Sequence, residues 1–356
     1  MTIDAVVVRQ ISFPLTQPYK LSNGPKLLFD PYLVEIRSNQ ATGWGECMVS
    51  VGYTTESRED SWRAALAIAP LLVGCEAQEA RVRIAPYSTA LPGICSAFYG
   101  ALDMLCGNGL LTTDRDRRVP LLAPCQESET GALRDEVDAL LGQGFRTFKV
   151  KVGFDWRDDL ARVQRIQTVV GDRASLRLDA NRGFDQAAGI AFASRLDPAG
   201  IELFEQPCAA DDWDANAAVA ARSTVPLMLD ESIYEVGDID RAARLPNVGF
   251  VKLKLKKVGS VDRLKAALER IRQLGLTPVL GDGVSLEIAC WMEACVAVHA
   301  IRNAGEMNGF LKARNRLLEN PLAFDQGDIV LPAGYWPRVD RDALAEHTVQ
   351  YAPFER

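Results

Sequence analysis

The stretch FKVKVG (148–153) sets Lys149 and Lys151 between Phe148, Val150 and Val152. Side chains of a strand alternate between its faces, so both lysines point the same way. The remainder of the stretch is apolar, so both ammonium groups aim at one enclosed spot. Four further strand-like runs end in a charge: Asp179 in SLRLDA, Glu205 in IELFEQ, Asp230 in PLMLDE and Lys254 in FVKLKL. Counted from Lys151, these residues follow at intervals of 28, 26, 25 and 24. Each interval is the length of one β-α unit, so each charge occupies the same end of a successive strand. Three adjacent carboxylates repel one another and do not all ionise unpaired. A divalent cation resolves the repulsion. Oxygen ligands without imidazole or thiolate suit Mg²⁺, with Mn²⁺ an alternative. Asp179, Glu205 and Asp230 are therefore the expected metal ligands. Lys151 and Lys254, on either side of a metal-bound carboxylate, are the expected bases. Lys149 is expected to lower the pKa of Lys151 and to help bind the substrate carboxylate. The metal would stabilise the ene-diolate formed when an α-proton leaves.

These residues need a scaffold that brings successive strand ends together. From VPLLAPCQ (119–126) onward, apolar strands alternate with amphipathic helices. Leu133, Val137, Leu140 and Leu141 share a helical face, as do Leu160, Val163 and Ile166, and later Val261, Leu264, Leu268 and Ile271. Continuous apolar runs between helices indicate a parallel sheet buried on both sides. About eight such repeats, from VPLLAPC to AGEMNG (304–309), predict a barrel whose active site lies at the C-terminal rim. The first part reads differently. AVVVRQISFPL (5–15) and YLVEIRS (32–38) are strand-like, NQATGWGE turns into another strand, and helical patterns follow at about 58–73 and 95–107. A charged break, TTDRDRR (112–118), separates the two rhythms. The expected fold is α/β, a (β/α)7β-type TIM barrel over 119–322. An α+β capping domain over 1–118 is joined by a C-terminal segment, 323–356, that returns to it.

Composition narrows the partners. Of 356 residues, 48% are apolar and 24% charged, with a net charge of −7 and scattered basic residues. That excludes nucleic acid and anionic membranes as expected partners. No run has the length of a membrane span, and MTIDAVVVRQ lacks the pattern of an export signal, so a cytoplasmic protein is expected. The eight cysteines form no C-x-x-C pair and read as reduced core residues. His299, in MEACVAVHAIRNAG, is expected to pack within a helix, and His347 to be exposed. Neither follows the seventh strand, TPVLGDG, so no histidine base is expected there, and if two bases flank the substrate both are lysines. A homo-oligomer acting on a small carboxylate is expected.

KVK at 149–151, DAN at 179–181, EQP at 205–207, DES at 230–232 and KLKKVGS at 254–260 resemble the muconate-lactonizing subgroup of the enolase superfamily. The resemblance covers nearly the whole chain, and GWGE (43–46) and YTTES (53–57) resemble parts of its capping domain. Each motif alone has a plainer reading: a solvated edge strand, a turn into a helix, a strand end before proline, an N-cap. Their joint periodicity outweighs these. The resemblance implies abstraction of a proton α to a carboxylate, for which a lysine base with Mg²⁺ is the superfamily's pairing. Racemisation or epimerisation of an amino-acid derivative is the first expectation. Dehydration of a hydroxylated amino acid and cycloisomerisation of a muconate-like dicarboxylate are alternatives, and a Schiff-base aldolase is the reading from another class.

Asn181 and Glu231 are expected around the metal ligands. Lys254 and Lys257 fit the subgroup's K-L-x-K-x-G-G, with Ser260 where the second glycine is usual. Lys252, Lys254 and Lys256 share a face if the strand continues. Lys252 stands where the subgroup often has asparagine and would need a buried carboxylate partner. Asp282 ends strand seven, and Glu306 and Asn308 end strand eight. Dipeptide epimerases of the subgroup typically carry D-x-D where this chain has E-x-N, and EMNG also fits the E-x-x-G of muconate lactonizers. Asp282 with Glu306 would suit an ammonium or cyclic amine. The plain alternative for Glu306 is a salt bridge to Lys252 or Lys254. LSNGPK (21–26) and Tyr53 resemble loops that close over substrate.

Overall fold

The computed structural model of the chain describes residues 1–19, 25–50, 53 and 56–356. Most of LSNGPK, and parts of YTTES, therefore lie outside the described residues. The β-branched N-terminal runs form β1 (Ala5–Ile11), β2 (Phe13–Tyr19), β3 (Lys26–Phe29), β4 (Tyr32–Arg37) and β5 (Thr42–Cys47). Three helices follow: α1 (Arg58–Leu72), α2 (Ala77–Ile84) and α3 (Pro92–Leu105). The glycines of GWGE let α3 lie directly on β5. A Cβ at Gly45 would stand 1.9 Å from the Ala97 carbonyl oxygen, and one at Gly43 2.0 Å from that of Ala101.

Next come β6 (Arg117–Pro120), β7 (Ala123–Cys125), α4 (Thr130–Gly142), β8 (Thr147–Lys151), α5 (Trp156–Val170) and β9 (Ser175–Asp179). They are followed by α6 (Gln186–Ala193), β10 (Ile201–Glu205), α7 (Trp213–Arg222), β11 (Leu227–Leu229), α8 (Val236–Ala242) and β12 (Val248–Leu253). Then come α9 (Leu255–Val258), α10 (Val261–Gln273), β13 (Thr277–Leu280) and α11 (Glu287–Ala300). Strands β7 to β13 form one parallel sheet in sequence order. Its register sets Lys151 beside Asp179 and Asp179 beside Glu205. The C-terminal part adds β14 (Ala323–Asp325), β15 (Asp328–Leu331), α12 (Arg341–His347) and β16 (Thr348–Glu355). Strand β15 pairs with β6, whereas β16 joins the antiparallel cap sheet in the order β16-β1-β4-β5.

The barrel is as expected, with local differences. VPLLAPCQ is not one strand. Val119 and Pro120 belong to β6, and the chain changes partners at Leu121 and Leu122, whose N–H groups donate to Gly327 and Gly305. The eighth position is not a regular strand. Gly305 bridges Leu121 in parallel, Gly305 N–H donates to Pro120 at 2.8 Å, and Glu306 N–H to Leu280 at 2.9 Å. These bonds close the sheet with little ladder. Nor does FVKLKLKK continue as a strand. It ends at Leu253, and Lys256 and Lys257 lie in α9, so strand alternation does not govern Lys256. Ser260 has its own reason: its hydroxyl N-caps α10 by accepting from Arg263 N–H.

His299 is exposed rather than packed, because it falls on the face of α11 turned from the core. His347 is partly buried, its ring 4.1 Å from that of Phe13. All eight cysteines are free and only Cys106 is exposed. Among the described residues no helix is long and apolar enough to cross a membrane.

Two buried carboxylates tie the rim together. Glu46, from the cap, accepts Leu286 N–H at 2.5 Å and Ala289 N–H at 3.1 Å, at the start of α11. Glu293, on α11, accepts from Leu255 at 2.8 Å and Asp282 at 3.0 Å. Burial pushes Glu46 up to about 7 and Glu293 up to about 8, against the lowering pull of these donors. A raised folded-state pKa on an acid contributes stability below its unfolded value, and that stability is lost as pH rises to the folded value. Glu46→Gln removes its share. It forfeits one acceptor at all pH, yet between pH 4.5 and about 7 its stability relative to the parent should improve by on the order of 3 kcal/mol. Urea unfolding across that range reads the change, and a pH-independent difference would refute it.

Candidate active site

The charged strand ends meet at one rim, around a cavity of about 220 Å³. Asp179, Glu205 and Asp230 are buried and come from three neighbouring strands, Asp230 directly after β11. The rim backbone there is unusual. Asn181, Arg182 and Gln206 have φ of 42°, 66° and 37°, a left-handed conformation that costs energy in a non-glycine residue and clusters at functional sites.

Ammonium groups stand between the carboxylates. Lys149 Nζ lies 2.8 Å from Asp179, 3.0 Å from Glu205 and 2.8 Å from Glu306. Lys151 donates to Asp179 at 2.6 Å and also to Asn181. Lys252 pairs with Glu205 at 3.1 Å and also with Glu306. Lys254 pairs with Asp230 at 2.9 Å and donates to the Tyr53 hydroxyl at 2.7 Å, and that hydroxyl donates to Asp230. Lys257 reaches Asp230 at 2.7 Å, and Lys256 reaches Asp282 at 2.7 Å. The buried partner that Lys252 needs is thus double, Glu205 and Glu306. Asp282 and Glu306 are both engaged by the chain's own lysines. Asn308 donates to the Leu122 carbonyl at 2.8 Å and accepts from Lys312 at 2.6 Å. Glu231 accepts from Asn181 at 3.2 Å and lies 3.5 Å from Arg182.

These neighbours fix the protonation states. Burial opposes the Lys149 charge, but Asp179, Glu205 and Glu306 outweigh it and hold the ammonium well above its usual range. Lys254 is likewise raised, burial being outweighed by Asp230, Asp282 and Glu306. Burial also works against the Asp179 carboxylate, yet Lys149, Lys151 and Lys252 hold it below its usual range. Asp230 is held well below by Lys254 and Lys257, again against burial. Glu205 is raised, by burial and then by Asp179. Glu231 is pushed up to about 7 by burial and by Asp230 and Asp179, and its Oε2 has no hydrogen-bond partner among the described residues.

The donor set fits a hard divalent cation: buried carboxylate oxygens, no imidazole or thiolate, and two carboxyl groups whose negative charge is incompletely compensated. Among the described residues no three carboxylates form a metal cluster by themselves, since the Lys149 and Lys252 ammoniums stand between them.

Tyr19 and Lys312 are site residues the sequence did not single out. Tyr19 lines the cavity, and Lys312 lies 4.6 Å from its ring and donates to the Gly283 carbonyl at 2.7 Å. Burial lowers Lys312 to about 8. Neither belongs to a periodic motif. Tyr19 ends a cap strand, and Lys312 lies beyond the irregular eighth position.

Residues 132–335, more than half of the chain, match the family model described as enolase C-terminal domain-like. The chain belongs to the enolase superfamily, in its mandelate racemase and muconate lactonizing branch. It is 27% identical to the L-Ala-D/L-Glu epimerase of Bacillus subtilis, covering 81% of this chain and 82% of that protein. It is 29% identical to a chloromuconate cycloisomerase of Pseudomonas putida, covering 75% and 76%. In fold it matches the crystal structure of a dipeptide epimerase from Cytophaga hutchinsonii complexed with Mg and the dipeptide D-Ala-L-Val. The TM-score is 0.89 at 21% identity, over 100% of both chains.

Removing one member of a buried ion-pair set leaves an uncompensated charge. Glu306→Gln should therefore cost about 3 kcal/mol in urea unfolding. Adding Lys252→Met, which removes one orphaned ammonium, should recover part of that loss. Equal stabilities of parent and Glu306→Gln would show that Glu306 is not what compensates Lys252.

Proposed function

We propose that this enzyme removes and returns the proton α to a carboxylate with Mg²⁺ bound, racemising or epimerising an amino-acid derivative. The observation that supports this most is the pair Lys151 and Lys254. They end the second and sixth positions of an eight-position barrel, so they face one another across the cavity that both line. One lysine in its neutral form takes the proton from one face of Cα, and the opposite ammonium delivers a proton to the other face. The configuration inverts and no electrons are exchanged. Lys149, held as an ammonium by three carboxylates, is a fixed cation for the substrate carboxylate.

Asp179, Glu205 and Asp230 would hold the Mg²⁺, with Asn181 and Glu231 beside them. When bound, the metal supplies positive charge that stabilises the ene-diolate left by proton loss. Tyr53 would seat the cap against Lys254. The unpaired thiols support a reducing compartment, the cytoplasm.

Charge favours an anionic substrate. In the rim network six lysines (149, 151, 252, 254, 256, 257) pair with five carboxylates (179, 205, 230, 282, 306), so the surplus is positive before any metal is added. The same surplus favours a second reading, cycloisomerisation of a muconate-like dicarboxylate, in which one lysine acts. A Schiff-base aldolase needs no metal, so it leaves Asp179, Glu205 and Asp230, buried together at the rim, without a role.

The test follows deuterium entering Cα from D₂O for each enantiomer of N-acyl amino acids. Lys151→Ala and Lys254→Ala should each lower racemisation by about 10²–10⁴-fold or more. Each should still exchange the α-proton of one enantiomer, and the two variants should retain opposite enantiomers. Undiminished racemisation by Lys254→Ala would overturn the two-base reading, while a one-base cyclisation would survive it. Excess chelator and Asp230→Asn should each abolish exchange, and full turnover in chelator would exclude the metal.

A further inference from the structure

Each oxygen of Asp179, Glu205 and Asp230 already has a donor from the chain itself. Asp179 Oδ2 is met by Lys149 at 2.8 Å and Lys151 at 2.6 Å, and its Oδ1 accepts the Asn181 N–H at 2.9 Å. Asp230 Oδ1 accepts from Lys257 and the Tyr53 hydroxyl, each at 2.7 Å, and its Oδ2 is met by Lys254 at 2.9 Å. Glu205 is held on both oxygens by ammonium groups, Oε2 by Lys149 at 3.0 Å and Oε1 by Lys252 at 3.1 Å. A cation arriving at Glu205 therefore meets a lysine on either oxygen.

Lys252 differs from the other lysines of this set. Among the described residues, Lys151, Lys254 and Lys257 pair with no carboxylate outside those three. Lys149 reaches Glu306 but spans both Asp179 and Glu205. Lys252 touches one of the three, Glu205, and otherwise pairs with Glu306. Its side chain is 2% exposed, so water does not replace a lost partner. A buried ammonium must keep a carboxylate. Glu306 is that carboxylate, and it is fixed in place, its N–H donating to the Leu280 carbonyl at 2.9 Å. Lys252 can thus give up Glu205 Oε1 and remain paired.

We infer that Lys252 is a resident cation that occupies Glu205 Oε1 in the metal's stead, withdraws onto Glu306 when the metal enters, and so sets how tightly the metal binds. This rests on the reading that Asp179, Glu205 and Asp230 are the metal ligands. Lys252 is then a positioning residue. It keeps buried carboxylates compensated before the metal arrives, and its charge beside Glu205 weakens the hold of the site on a divalent cation. Glu306 is the retreat that lets the exchange proceed without stranding an ammonium.

The probe is MgCl₂, titrated calorimetrically into the full chain after chelator treatment and dialysis. Lys252→Met removes the charge yet strands no carboxylate, since Glu205 and Glu306 both keep Lys149. It should bind Mg²⁺ about tenfold more tightly or better, because repulsion between neighbouring cations is appreciable even at the dielectric constant of water. Glu306→Gln confines Lys252 to Glu205 and should weaken Mg²⁺ binding by about tenfold or more. In the Lys252→Met background the same change should weaken it far less, since the two residues act as a pair. Lys252→Gln, which keeps a donor toward Glu306 without the charge, should also tighten binding, and it carries the test if the methionine variant does not fold. Unchanged or weaker binding in the Lys252 variants, or an effect of Glu306→Gln that is the same in both backgrounds, overturns the inference. Asp230→Asn separates this result from the metal assignment. Mg²⁺ uptake that Asp230→Asn abolishes but the Lys252 variants leave unchanged removes the inference alone. No uptake by the parent, or uptake indifferent to Asp230→Asn, removes the metal assignment and the inference with it.

Discussion

The rim depends on one constraint: charges removed from water must be paired, or the fold does not hold them. Taking an ammonium or a carboxylate out of water costs several kcal/mol per ion even after relaxation. Here Lys149, Lys252 and Lys254 are nearly inaccessible, as are Asp179, Glu205, Asp230 and Glu306. Each lysine makes at least one carboxylate contact near 3 Å or closer. A parallel barrel meets this demand because equivalent positions of neighbouring strands lie side by side at one end. The same pairing holds these charges in fixed positions, where they act on whatever charge develops on a bound substrate.

The cap is coupled to this network by few but specific contacts. Tyr53 touches both Asp230 and Lys254, and its ring is 4.0 Å from the Lys254 ammonium. Glu46 reaches from β5 to the start of α11, while Glu293 of α11 reaches back to the ends of β12 and β13 through Leu255 and Asp282. A helix beginning with unsatisfied N–H groups is thereby fastened by a carboxylate from the other part of the chain. Moving the cap would disturb the positions of Lys254 and Asp282 together.

Period and spacing made much of this legible in the sequence. FKVKVG, SLRLDA and IELFEQ gave strand, face and rim because each residue's environment repeats with the β-α unit. Where the structure departs from that periodicity, the reading failed for local reasons. Lys256 was grouped with Lys252 and Lys254 by alternation, but the strand stops at Leu253 and α9 turns Lys256 toward Asp282. VPLLAPCQ concealed a change of partner at Leu121 that no apolar pattern encodes. The carboxylates that hold the Lys149 ammonium well above its usual range come from three other elements, and only their three-dimensional convergence reveals them. Tyr19 and Lys312 carried no signal, since their significance lies in what faces them across the site.

The irregular eighth position shows how electrostatics and backbone divide the work of closure. Regular strands close a barrel through ladders, yet between β13 and β6 the chain makes only a bridge at Gly305 and single bonds on either side. Ion pairs and side-chain donors reinforce this seam. At the rim, Glu306 is gripped by Lys149 from β8 and Lys252 from β12, strands on opposite sides of the seam. Deeper in the barrel, the buried guanidinium of Arg177 on β9 donates to the Ala304 carbonyl at 2.8 Å, while Glu202 on β10 holds its other nitrogens. The backbone groups freed by irregular structure thus find side-chain partners, as buried polar groups must. It follows that Glu306 carries two burdens, compensating site lysines and closing the barrel. A carboxylate so committed is a poor anchor for a substrate ammonium.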